Sequence, residues 1–145
     1  MMIMTGIIAG LIAGAIMGTI SQFGYLLRIM HSNLIVVDGI FAQRILNRDE
    51  GAGSVYFFGI IIHLITSLVF GVIYVVIGHY LDFELRATIP LVIYIFVLWL
   101  AMLVIALPVA GQGLFGREIR GAVWFEQLIL HIIFGFSFWW ALGLF

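Results

Sequence analysis

The sequence predicts an all-α integral membrane protein, four transmembrane helices in an up-down bundle made of two similar helical hairpins, on three observations. Of its 145 residues 65% are hydrophobic and only 9% are charged, too little polarity to cover a water-soluble domain. Four apolar runs, about 1–27, 55–77, 89–107 and 122–145, are each close to or above the roughly 20 residues a helix needs to cross a bilayer. The second and fourth runs also share a layout. Tyr56, Gly59, His63, Ser67, Phe70 and Tyr74 fall at the same offsets as Trp124, Gln127, His131, Gly135, Phe138 and Leu142, so each set forms one stripe on its helix.

The first run lacks the basic start of a secretory signal and is too long for a signal's apolar core, so it reads as a retained span. Gly6, Gly10, Gly14 and Gly18 recur every fourth residue and make a groove of bare backbone along it. Helices in lipid associate through van der Waals contact across such ridges. The groove is therefore expected to pack a sister span, with a docking face for another protein as the alternative.

Residues 28–54 are too polar to span and read as a loop on the cytoplasmic side. Asp38-Gly39 marks a turn and Gly51 to Gly53 a hinge. Between them Ile40 to Leu46 reads as a short interfacial helix presenting Arg44 and Arg48, with a solvated loop as the competing reading. Span two ends near Gly78, before a polar turn holding His79, Asp82, Glu84 and Arg86. Pro90 suits the first turn of span three and Pro108 marks its end.

The connection 108–121 contains Gly111, Gly113 and Gly116 in a GxGxxG arrangement. A dinucleotide site needs those glycines between a strand and a helix, and here they follow a membrane span, so a tight turn is predicted. In span four Trp124 and the Trp139-Trp140 pair fit interfacial belts. Arg28, Arg44, Arg48, Arg117 and Arg120 lie in the loops after spans one and three, against Arg86 alone on the other side. The positive-inside rule then puts loops 28–54 and 108–121 in the cytoplasm and both termini outside, in the inner or plasma membrane.

There is no lysine, and six arginines face seven acids, so no basic surface exists for nucleic acid. The absence of cysteine removes disulfides, thiolate metal sites and thiol nucleophiles together.

The chemically suggestive pair is His63 and His131. Helices two and four point the same way, and each histidine lies roughly 12–14 Å in from the loop end at 1.5 Å per residue, so the two are expected at one level. The hairpins would then be related by an axis along the membrane normal. Three roles compete. Each imidazole simply bonds a carbonyl or hydroxyl on a neighbouring helix; or the two ligate a haem b, with Gly59 and Gly135 making room for the macrocycle; or, with Gln127 and Glu126, they form a polar pathway for protons or a substrate. No Asp, Glu or Met stands three or four residues from either histidine, so no metal site and no catalytic residue is predicted, and Met102 is the sole mid-membrane thioether outside span one.

The glycine-rich GIIAGLIAGAIMG of span one, NLIVVDG from Asn33, HLITSLVFGVIY of span two, LPVAGQGLFG at Leu107 to Gly116 and HIIFG at His131 together resemble the DUF6789-like group of small four-span membrane proteins. The resemblance covers most of the chain and implies a four-helix membrane fold without supplying an activity or functional residues. The function expected is that of a non-catalytic accessory subunit of a larger membrane complex of energy metabolism, with no cofactor and with membrane lipids and other integral-membrane subunits as partners. The alternatives are a bis-histidine haem subunit and a small transporter or proton-pathway component.

Overall fold

A computed structural model describes residues 2–48, 51–119 and 121–144. Arg120, counted above in the arginine distribution, lies outside them. The described residues form helices and no strand: α1 (Met2–Leu26), α2 (Leu34–Ile45), α3 (Ala52–Tyr80), α4 (Thr88–Ala101), a π-helical turn (Met102–Ala106), α5 (Leu107–Val109), a 3-10 turn (Leu114–Gly116) and α6 (Val123–Leu142). Four segments are long and apolar enough to cross a membrane: α1, α3 from Gly53, the continuous run Thr88–Val109, and α6.

The glycine groove of α1 receives α3. A Cβ on Gly10 would run into the Ser67 carbonyl oxygen, and one on Gly6 would sit 2.7 Å from that of Gly71. Only bare backbone permits this separation, so the glycines set how closely the first hairpin closes. Gly14 and Gly18 accommodate the side chains of Ser67 and His63. At their outer edge a shallow groove opens between α1 and α3, bordered by Ala15, Thr19, Ile35 and Tyr56.

α1 packs along both α3 and α6, and α6 packs along α4, giving the lateral order α3, α1, α6, α4. α6 is accordingly the most enclosed span, with 56% of its apolar window buried against 22% for Thr88–Val109. α3 and α4 do not pack along each other. The Tyr94 hydroxyl bridges them, donating to the Phe70 carbonyl at 2.7 Å. At the same end the Trp139 indole donates to the Arg86 carbonyl at 3.1 Å, with the Arg86 guanidinium 4.0 Å from the ring centroid.

Three local expectations are corrected. Asp38-Gly39 is not a turn but the middle of α2, which begins six residues before the predicted Ile40. Asn33 caps it, its side chain accepting from Ile35 N–H at 3.0 Å, and Leu34 N–H donates to Ser21 Oγ at 2.9 Å. The helix is neither a solvated loop nor purely interfacial, because Leu34, Ile35, Val37, Gly39 and Ala42 are buried. Gly39 is there for close approach: a Cβ would strike the Val55 carbonyl of α3, and one on Gly59 would strike the Ile35 carbonyl of α2. The second correction concerns Gly53, which lies inside α3 rather than in a hinge, after the N-cap Gly51.

The third is that Pro108 does not end span three. Proline lacks an N–H and its ring crowds the carbonyl four residues back. The preceding turn widens instead, Leu107 N–H reaching the Met102 carbonyl, and the helix continues to Val109. Beyond it Gly111, Gly113 and Gly116 take φ of 78°, 73° and 73°, the left-handed values of a tight turn, as the sequence predicts for this stretch.

Candidate functional site

Between α3 and α4, which meet at Phe70, Tyr74 and Tyr94 but do not pack along their length, lies a cavity of about 220 Å3. Met17, His63, Ser67, Met102, His131 and Phe134 form its depth, and Asp38 and Phe41 of α2 flank the loop end. The half-buried Ile62, Thr66, Phe70 and Leu98, with the exposed Ile105, form the edges that face outward between the two spans. The widened turn of span three supplies Met102, Ile105 and Ala106 to the wall, the placement in which π-helical turns often mark functional sites.

The polar group at the base is a contact the sequence reading did not anticipate. His63 Nδ1 stands 2.8 Å from Asp38 Oδ2 and His63 Nε2 2.9 Å from the Gly14 carbonyl oxygen. A carbonyl only accepts, so Nε2 carries hydrogen and donates to Gly14. A second hydrogen must then lie between Nδ1 and Oδ2, as an imidazolium facing a carboxylate or a neutral imidazole facing a carboxylic acid. Either way the unit carries no net charge and holds one shared proton. Burial pushes the Asp38 carboxyl above its ordinary range, while the hydrogen bond to His63 pulls it back.

His131 differs. Its Nδ1–H donates to the Gln127 carbonyl one turn back in its own helix at 2.8 Å, leaving Nε2 as a lone pair without a partner among the described residues. The residue is 7% exposed and lines the same cavity as His63. Both predicted histidines thus reach one chamber, in different hydrogen-bonding states.

Glu126, assigned by sequence to a polar pathway, serves a joint at the loop end instead. Its carboxylate accepts the His31 and Ser32 backbone N–H groups at 2.9 and 3.2 Å and faces His31 Nδ1 at 2.7 Å. Ser32 Oγ in turn donates to Gln112 Oε1 at 2.8 Å. Gln127 is fully buried, and neither end of its amide has a partner among the described residues. An amide orphaned in an apolar interior costs about 1–3 kcal/mol, so Gln127 is the least satisfied polar group of the core.

The haem alternative does not fit these residues. Axial ligation needs a bare nitrogen on each histidine, and His63 engages both of its nitrogens. The chamber is also below the ~300–1,000 Å3 of pockets that enclose drug-sized ligands. Among the described residues no three His, Asp or Glu side chains converge as metal ligands.

The sequence pattern selects His63 and His131 but passes over Asp38, because a contact between residues 25 positions apart has no periodic signature. One signal was available: an acid inside NLIVVDG, flanked by apolar residues that suit a buried helix. No family model, no curated protein and no solved structure matches the chain.

Proposed function

We propose that the chain binds a small lipid-soluble molecule, admitted from the bilayer between α3 and α4, beside the proton held by Asp38 and His63. This makes concrete the proton-pathway alternative raised by the sequence. The observation that carries it is that a histidine facing accepting oxygens through both nitrogens also lines a cavity set into an apolar wall. Ionisable groups at membrane depth are costly, and they concentrate where ions, protons or substrates are handled.

The accessory-subunit reading is the second proposal. The outer edge of the α1 groove at Gly14 and Gly18, where a partner helix has access, supports it. Co-purification with larger membrane proteins at fixed stoichiometry in mild detergent tests it, and recovery as a free monomer counts against it. Membership of the DUF6789-like group and the cytoplasmic placement of the α2 end belong to the same set of proposals.

The binding reading is tested with fluorobenzene and fluorine NMR of protein in lipid vesicles. A saturable bound signal is expected for the wild type. Ala101→Phe, which fills the chamber from its wall, is expected to remove the signal, while Val97→Phe on the exposed side of the same helix keeps it. A wild-type spectrum equal to that of empty vesicles ends this reading.

A further inference from the structure

We infer that the guest of this cavity is a neutral single-ring molecule that donates a hydroxyl hydrogen, a phenol or quinol-type head on an apolar tail, and that His131 Nε2 accepts that hydrogen. The inference rests on the binding reading above and specifies its ligand.

Size comes first. An engineered apolar cavity of ~150 Å3 takes up benzene, so about 220 Å3 admits one substituted ring and excludes a macrocycle. The route follows from the fold. The chamber faces outward between α3 and α4, past Phe70 and Ile105, so a tail attached to the ring extends into lipid.

The polar inventory then fixes the head group. Nδ1–H of His131 is engaged by its own helix, so Nε2 can only accept. Asp38 and His63 direct their two hydrogens to each other and to Gly14, leaving none for a guest. The Thr66 hydroxyl donates to the Ile62 carbonyl at 2.8 Å. Ser67 alone has a hydroxyl free to turn either way.

A ketone or ether oxygen would leave the His131 lone pair facing an apolar ring, and an organic cation would find no net negative charge. A phenolic hydroxyl donates to Nε2 and accepts from Ser67, satisfying both. Buried acceptors reject guests that cannot donate to them more strongly than apolar walls reject an extra methyl group.

Para-hexylphenol and para-hexylanisole test this, since they share ring and tail and differ only in a methyl cap on the hydroxyl. Affinities are measured by calorimetry in phosphatidylcholine nanodiscs, with partition into empty nanodiscs subtracted. The phenol is expected to bind roughly tenfold more tightly than the anisole, the equivalent of one hydrogen bond. In His131→Leu the two should bind alike, at the wild-type affinity for the anisole, which shows at once that the variant is folded and its chamber intact. Nitrogen NMR should show His131 Nε2 shifting with phenol and not with anisole.

Equal affinities in the wild type overturn the hydroxyl requirement and leave the cavity reading standing. A phenol preference that survives in His131→Leu overturns the assignment of the acceptor. Binding of neither compound, together with a silent fluorobenzene spectrum, removes the binding reading itself.

Discussion

His63 and His131 hold corresponding places in the two hairpins, on stripes with the same offsets, and both line the cavity. Yet one shares a proton with a neighbouring carboxyl and the other keeps an open acceptor. The difference originates in the connections. Between α1 and α3 the chain folds a 12-residue helix back against the first hairpin, and its Asp38 reaches His63. Between the second pair of spans the described residues of the loop form the 3-10 turn Leu114–Gly116 and no helix of comparable length.

The stripes record the same asymmetry. Gly59 in the first hairpin admits the Ile35 carbonyl of α2, whereas the corresponding position in the second is Gln127, an amide with nothing to meet. Two helices with matching patterns therefore differ chemically, because a third packs against only one of them.

The sharpest way to break this comparison is to remove each imidazole in turn. His63→Leu strands the Asp38 carboxyl in the core and is expected to destabilise the protein by about 3 kcal/mol, the lower end for a broken buried pair because the carboxyl can hold its proton. His131→Leu gives up one bond within its own helix, about 0.6 kcal/mol on the scale of polar contacts in lipid. Denaturant titration in detergent micelles measures both, and equal losses would remove the distinction between the two positions.

Helix approach gives the next contrast. Gly10→Ala meets the backbone of Ser67, which cannot rotate away, and should cost about 1–3 kcal/mol. Gly135→Ala meets the Ile95 side chain, Cγ1 at 3.0 Å, rather than backbone, and should cost about 1 kcal/mol or less. A larger loss at Gly135 would show that the second hairpin is the tighter one.

Gln127→Leu replaces an orphaned amide with an apolar side chain of similar size and should stabilise the protein by about 1 kcal/mol. Destabilisation there would mean that the amide has a partner, such as a bound water.

The finest effect is spectroscopic. In nitrogen NMR His131 should show one bare nitrogen and His63 none free of hydrogen or a strong hydrogen bond. Asp38→Asn removes the acid that shares the proton and should leave His63 with one protonated nitrogen and one accepting. Unchanged His63 shifts in that variant would contradict the shared proton.

Much of the architecture was legible beforehand. Span positions come from hydropathy, and the Gly6, Gly10, Gly14 and Gly18 spacing announced a close helix contact, because both are properties of consecutive residues. The boundaries were less legible at Pro108, where a helix that proline should end widens by one residue and goes on. Asp38-Gly39 misled for a related reason: an acid followed by glycine is a turn signal when solvated and a close-packing device when buried, and burial is not local information.

The sequence by itself determined that this is a four-span helical bundle with two imidazoles among its apolar spans. Tertiary structure alone decided that Asp38 turns inward to His63, that α3 and α4 stand apart to leave a chamber, and that His131 keeps a free lone pair. The reason is physical: span formation depends on local hydropathy and backbone hydrogen bonding, whereas a shared proton and a cavity depend on which helices meet, and that is settled only when all of them pack.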